Sequence, residues 1–192
     1  MFRTLFCARH GETDWNALGR FQGHTDIPLN DAGRAQARGL AERLRGERLA
    51  AVVASDLLRA RETGEIVAAA LGIPFAYVDV DLRERNMGAF EGLTRVECAA
   101  RFPAEWSAWL ADPRNAPAGG ERHGALSGRV SAAAHRAVER FATLEGSVLA
   151  ISHGGAMRAL VIALGEATPA PIPNAEALRF ELDGGRLVYV EG

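Results

Sequence analysis

The sequence predicts an α/β protein, a three-layer α/β/α sandwich built on a mostly parallel, doubly wound sheet. Three observations lead there. Short apolar runs alternate with longer stretches whose apolar side chains recur at helical spacing, the pattern of strand and helix in turn. Gly, Pro, Asn and Asp punctuate the junctions, and no linker or internal repeat divides the chain. With 192 residues, 48% of them hydrophobic, one domain over 1–192 can bury ~70% of the surface of its unfolded chain.

Leu5-Phe6-Cys7-Ala8 reads as the first strand, and a polar loop follows from Arg9 to Asp31. Ala37, Leu40, Ala41 and Leu44 fall at i, i+3, i+4 and i+7, one buried face of the first helix. Ala51-Val52-Val53-Ala54 is the second strand. Ser55 stands where an N-cap is expected, with Asp56 in the first turn of a helix from Leu57 to Leu71 that stops at Gly72, ahead of Pro74. Phe75 to Val80 reads as the third strand. Residues 81–129 are less regular, with turns at Gly88, Gly92, Pro103, Pro113, Pro117 and Gly119-Gly120 around a short helix carrying Trp106 and Trp109. This segment is expected to be an excursion over the sheet edge, above the candidate active site. Val130, Ala133, Ala134, Ala137 and Phe141 form another helical stripe, Val148 to Ile151 a buried strand, and Met157 to Leu164 a helix ended by Gly165. Leu178 to Leu182 and Arg186 to Val190 flank the Asp183-Gly184-Gly185 turn, a hairpin signal.

Composition excludes several chemistries. All 22 Lys+Arg positions are Arg, so no lysine is present to form a Schiff base or to serve as the phosphate-binding lysine of a P-loop. The net charge is -2 and the acids are interspersed with the arginines, which leaves no basic stripe for nucleic acid. Cys7 and Cys98 stand alone, without metal-ligand or CxxC spacing, and read as small buried side chains in a reducing compartment. The apolar amino terminus is too short for a signal peptide and no run reaches a membrane span, so a cytoplasmic protein without a membrane partner is expected.

In an open α/β sheet, ligands bind in the crevice beyond the carboxyl ends of the strands. The residues that follow the predicted strands are Arg9-His10-Gly11-Glu12, then Ser55 with Arg59 one turn on, then Arg83-Glu84, and last Ser152-His153-Gly154. Two histidines, two or three arginines and a glutamate thus converge on one edge. A lone histidine would more often be a satisfied core or surface residue, but this whole set at strand ends would not. The set suits phosphoryl transfer through histidine. Neutral imidazole is a nucleophile, neighbouring guanidinium groups disfavour its protonation, and their planar forks hold phosphate oxygens without a metal. Gly11 and Gly154 let main chain approach the phosphate, the helix after Gly154 adds its positive end, and Glu84 is the natural acid and base.

These residues resemble a known family. Ala8-Arg9-His10-Gly11-Glu12-Thr13-Asp14-Trp15-Asn16, Arg20-Phe21-Gln22-Gly23 and the run from Pro28 to Ala37 are similar to the opening of the histidine phosphatase superfamily, in its phosphoglycerate mutase-like branch. Ser55 to Thr63, Leu82-Arg83-Glu84 through Gly92, and Ile151-Ser152-His153-Gly154-Gly155 resemble the later blocks, so the likeness extends over most of the chain to residue 165. The resemblance implies a phosphoglycerate mutase-like fold with His10 as the phosphorylated nucleophile and Glu84 as proton donor. It places Arg9, Arg59 and His153 around the phosphate, with Asn16 and the backbone of Gly154 assisting and Gln22 and Gly23 where the family contacts substrate. It implies no cofactor and no metal; the expected partner is a small phosphorylated metabolite, and a homodimer is compatible with it.

The family holds both hydrolases and mutases, which share the phosphohistidine and differ in whether water or a second phosphoglycerate accepts the phosphoryl group. The short Pro117-Ala118-Gly119-Gly120-Glu121 segment is similar to the phosphatases, although Arg122 stands where they carry serine, and Gln22 leans the same way. Glu84-Arg85 resembles the mutases, where the arginine helps hold a carboxylate; Arg85 is thus a candidate for a second anionic group on the substrate, or else an exposed arginine among many. Hydrolase is the leading expectation and mutase the alternative.

Readings from other classes fare worse. Ala150-Ile151-Ser152-His153-Gly154 approaches the G-x-S-x-G elbow, but no histidine follows His153. Asp79-Val80-Asp81 is followed by Arg83 where an aspartate-nucleophile phosphatase would carry a small residue, and a Cys7 phosphatase would need arginine at position 13, which is Thr13. No H-E-x-x-H motif marks a metal hydrolase. An inert binding module would have no use for His10 and Glu84 together. Trp15, Trp106 and Trp109 read as packing, His24 as a residue at the mouth of the site, and His123 and His135 as solvated.

Overall fold

The computed structural model describes residues 3–167 and 169–190. In chain order its elements are β1 (Arg3–Arg9), α1 (Asp14–Ala17), α2 (Asp31–Arg43), β2 (Leu49–Ala54), α3 (Leu58–Leu71), β3 (Phe75–Val78), α4 (Arg95–Arg101), α5 (Pro103–Ala111), α6 (His123–Arg140), β4 (Ser147–Ser152), α7 (Gly154–Ala163), β5 (Ala177–Asp183) and β6 (Arg186–Val190). The strands form one sheet in the order β3-β2-β4-β1-β5-β6. The pairs β3/β2, β2/β4 and β4/β1 are parallel, whereas β1/β5 and β5/β6 are antiparallel.

The layers follow from alternation along the strands. Leu5 and Cys7 of β1 join Val53, Val148 and Ala150 on one face, beneath Val130, Ala133 and Ala137 of α6 and Met157 and Leu160 of α7. Phe6 and Ala8 point the other way, with Val52, Ala54, Leu149 and Ile151, against Leu40 and Ala41 of α2 and Ala60 and Val67 of α3. A strand buried on both faces has to be apolar at every position, which is why these segments read as unbroken apolar runs. A third, smaller cluster lies under the excursion, where Met87, Phe90, Leu93 and Cys98 pack with Phe21, Phe102, Trp106 and Trp109. Both cysteines are free and buried, and burial pushes the Cys7 thiol up to about 12.

Several boundaries differ from expectation. Ser55 does not cap α3: the N-cap is Leu57, which offers no side-chain acceptor, and the Ser55 hydroxyl lies 3.4 Å from the Leu57 N–H. The third strand ends at Val78, and Val80–Leu82 form a single 3-10 turn. Helix α7 begins three residues before Met157, at Gly154, because its first turn carries glycines that contribute nothing to an apolar stripe. Helix α6 likewise begins at His123, so residues 123–129 are helical. Within the first loop, α1 is set by a capping box between Thr13 and Asn16. The hairpin turn is Gly184-Gly185, both at positive φ (54 and 83), the conformation a two-residue turn demands and glycine adopts without cost. Among the described residues, no helix is long and apolar enough to cross a membrane.

Candidate active site

The chain leaves β1 toward α2 on one face of the sheet and leaves the adjacent parallel strand β4 toward α7 on the other, so a crevice opens between the two loops. His10 and His153 are the first residues beyond these strands. The His10 N–H donates to Ser152 O (3.0 Å), and the two rings lie 5.1 Å apart, centroid to centroid.

His10 is 3% exposed, and its Nδ1 lies 2.6 Å from Gly11 O. A carbonyl only accepts, so Nδ1 carries the proton and Nε2 carries the lone pair of the neutral ring. Burial, then the Arg59 and Arg9 cations, hold its pKa well below 6.5. Gly11 is tied down in turn, its N–H donating to Thr63 Oγ1 (3.0 Å), which donates to Arg59 O (2.7 Å).

Arg59, on the first turn of α3, is fully buried and directed by three acceptors. Its Nε donates to His153 Nδ1 (3.3 Å), Nη1 to Thr25 O (2.9 Å) and Nη2 to Gly23 O (2.8 Å). Desolvation lowers its pKa to about 10, so it stays charged at neutral pH. Arg9 reaches over Gly154 and donates from Nη1 to Ile172 O (2.7 Å), while its Nε is buried without a partner. His153 Nε2 is likewise buried and unpartnered. Burial and the neighbouring Arg59, His10 and Arg9 push the His153 pKa well below 6.5. Unsatisfied donors beside two guanidinium groups make a nest for an anion with several acceptor oxygens.

Glu84 follows the 3-10 turn and closes the nest. Its Oε1 accepts from the Arg85 N–H (2.7 Å) and Oε2 from the Gly155 N–H at the start of α7 (2.9 Å). A Cβ on Gly155 would stand 2.4 Å from Glu84 Oε1, so only glycine admits the carboxyl there. With a neutral imidazole, two fixed guanidinium groups and a carboxyl in one crevice, the arrangement can accept a phosphoryl group on nitrogen and exchange a proton with the departing oxygen.

The remaining residues singled out in the sequence are placed less uniformly. Asn16 and Gln22 line a cleft of about 790 Å³ that includes His10, Arg9, Arg59 and Glu84, and both are also engaged by Thr13. Thr13 N–H donates to Asn16 Oδ1 (3.2 Å) and its hydroxyl to Gln22 Oε1 (3.0 Å). Gly23 lines the cleft and orients Arg59 through its carbonyl. Gly154 opens α7 beneath Arg9. Arg85 also lines the cleft but is neither exposed nor free: it is 7% exposed, and its guanidinium donates to the carbonyls of Glu121, Pro113, Arg114 and Asn115. His24 donates from Nε2 to Glu84 O (2.8 Å). His123, read as solvated, lines the same cleft, as do Trp109 and Arg158.

Sequence reasoning passed over Thr63, Asn174, which donates to His10 O (3.0 Å), and above all Arg129. The partners of Asn174 and Arg129 are mostly main-chain carbonyls, which leave no mark on side-chain pattern. Among the described residues, no three His, Cys, Asp or Glu side chains gather as a metal site.

The sequence profile described as "Histidine phosphatase superfamily (branch 1)" matches residues 5–191. "Phosphoglycerate mutase-like protein 4" of Arabidopsis thaliana is 39% identical over 163 residues, 83% of this chain and 70% of that protein. "Metal-independent phosphoserine phosphatase" of the same plant is 36% identical over 170 residues, 86% of this chain and 70% of that one. Among solved structures, YhfR of Bacillus stearothermophilus superposes with a TM-score of 0.88 at 34% identity, covering 97% of this chain and 95% of that one.

Proposed function

The chain belongs to the histidine phosphatase superfamily, branch 1, and from that premise we propose that it is a metal-independent phosphomonoesterase acting on a small phosphorylated metabolite through a phosphohistidine at His10. In the first step the Nε2 lone pair of His10 attacks phosphorus and the bond to the ester oxygen breaks. Glu84 gives its proton to that oxygen, so the product leaves as a neutral alcohol. In the second step water attacks the phosphohistidine, Glu84 takes a proton from it, the P–N bond breaks and His10 is returned neutral. Arg9, Arg59 and the Nε2–H of His153 hold the phosphoryl oxygens throughout, and Asn16, Gln22 and the N-terminal turn of α7 at Gly154 complete the contacts.

The observation that carries this reading is the state of His10: Nδ1–H is fixed on Gly11 O and the ring is buried beside Arg59 and Arg9, which favours a neutral Nε2 nucleophile near pH 7. The name of one relative supports water as the acceptor and metal independence, and that of another keeps mutase as the alternative, with a second phosphoglycerate taking the phosphoryl group. The engagement of Arg85 by four carbonyls favours hydrolysis, since the mutase reading needs that guanidinium for a carboxylate. The test is to incubate the protein with EDTA and either p-nitrophenyl phosphate or 3-phosphoglycerate, scoring free phosphate, isomerised product and acid-labile label on the protein. Turnover that EDTA abolishes, or full activity in His10→Ala, would sink the mechanism.

A further inference from the structure

Arg85 and the Gly119-Gly120-Glu121 turn have no part in the transfer step written above, yet the structure joins them. Their meeting point is Arg129 on α6. Its Nε and Nη2 clasp both oxygens of Glu121 (2.7 and 2.7 Å), a bidentate pair 18% and 16% exposed on the two side chains. The remaining donors run to the segment 81–86 that carries Glu84, the acid loop: Nη1 to Asp81 O (2.9 Å) and Arg83 O (2.7 Å), and Nη2 to Glu84 O (2.8 Å). A guanidinium has five N–H groups, and all five are engaged.

Glu121 is itself fixed by the same loop. Its N–H donates to Asn86 O (2.9 Å), its carboxylate accepts from the Asn86 N–H (3.4 Å), and its carbonyl accepts from Arg85 Nε (2.8 Å). Arg85 continues outward to the carbonyls of Pro113, Arg114 and Asn115, and so staples the excursion to the acid loop. Carbonyls 81, 83 and 84 belong to no strand ladder, so a side-chain fork supplies what secondary structure does not. The residue so held at its main chain carries the carboxyl that meets Gly155.

We propose that the Glu121–Arg129 pair is the positioning device for the proton donor, setting where the Glu84 carboxyl stands against the leaving oxygen. This rests on the reading of Glu84 given above. The Gly-Gly-Glu turn exists to bring a carboxylate to Arg129, and Arg85 braces that turn instead of meeting substrate. Proton transfer needs heavy atoms within about 3 Å of one another, and a displacement near 1 Å can cost about 10²-fold, so a loosened acid loop is felt most where the leaving group most needs a proton.

The experiment compares kcat/KM over p-nitrophenyl phosphate, phenyl phosphate and glycerol 3-phosphate for wild type, Arg129→Gln, Arg129→Lys and Glu121→Gln, each repeated on a Glu84→Gln background. The expected result is a loss of about 10²-fold on glycerol 3-phosphate against less than about tenfold on the nitrophenyl ester for Arg129→Gln. Arg129→Lys should recover part of that difference. On the Glu84→Gln background the added loss should be the same for all three esters, since the group being positioned is gone. A uniform loss with Glu84 present, or no loss, overturns the proposal, because damage to the fold or to the phosphate nest would not sort esters by leaving group. Should Arg129→Gln fail to fold, the isosteric Glu121→Gln carries the same comparison: a loss sorted by leaving group supports the proposal, and a uniform loss or none overturns it. Phenol release without a phosphohistidine would count against the proposed function and leave this comparison readable.

Discussion

Arg59 Nε donates to Nδ1 of His153 across 3.3 Å, at the bottom of a crevice where neither side chain meets solvent. Guanidinium cannot accept, so the contact fixes the neutral histidine with its proton on Nε2. One arginine thereby sets the tautomer of the second histidine while its charge disfavours protonation of the first.

Arg59→Lys separates shape from charge. Lysine keeps the cation but cannot reach His153 Nδ1, Gly23 O and Thr25 O from one planar group. The expected loss in kcat is about 10² to 10³-fold, read from steady-state turnover of p-nitrophenyl phosphate. Full activity in the variant would mean that any cation serves, and that this chain uses arginine here only because it uses arginine everywhere.

The pH profile follows from the depressed His10 pKa. The proposed nucleophile, neutral His10, is lost as pH falls through its folded pKa, so the acid limb due to His10 should lie well below 6.5. Removing a cation eases protonation, and Arg59→Met should therefore move that limb to higher pH. A limb that stays in place, measured with one substrate in both proteins, would show that Arg59 does not act on His10.

Stability has a matching dependence. His10 and His153 have folded pKa values depressed below 6.5, so the unfolded chain takes up protons first as pH falls. Their contribution is whole above about 6.5 and is lost as pH drops from there through the folded values. The melting temperature should fall over that window, and His153→Gln should flatten the fall. An unchanged slope in the variant would contradict the assignment.

Glu84→Gln should cost about 10² to 10⁴-fold on an alkyl phosphate and far less on p-nitrophenyl phosphate, whose leaving group departs without a proton. Equal losses would remove Glu84 from the role of acid.

The arginine lining of the cleft predicts a preference among esters. Arg158 donates from Nε to Pro169 O (3.2 Å), its two terminal nitrogens have no partner among the described residues, and it lines the cleft together with His123. An ester with a second anionic group should gain there: Arg158→Gln is expected to raise KM for 3-phosphoglycerate relative to glycerol 3-phosphate by about tenfold. An unchanged ratio would leave the second anion elsewhere.

How much of this is legible in the sequence depends on what each residue bonds to. His10, Arg59, Glu84 and His153 are visible because each follows a strand, and strand ends are marked by apolar runs stopping. Arg129 sits mid-helix among residues that read as one more amphipathic stripe, and its partners are three carbonyls from residues 81–84 and a carboxylate eight residues back. Arg85 stands out in the sequence but not for its actual work, since nothing in its neighbours tells that four carbonyls converge on it. Ser55 has the chemistry of a cap without the geometry, the chain turning into α3 two residues later at Leu57.

The place of β1 in the sheet bears on how the molecule comes to exist. β1 lies between β4 at 148–152 and β5 at 177–182, so the strand that leads into His10 pairs with chain more than a hundred residues further on. Contacts of such sequence separation slow folding, because a long loop has to close before they form. On a ribosome, residues 5–8 would emerge as an apolar strand without neighbours and wait for more than a hundred further residues before either pairing segment exists, an interval in which a chaperone has the most to protect.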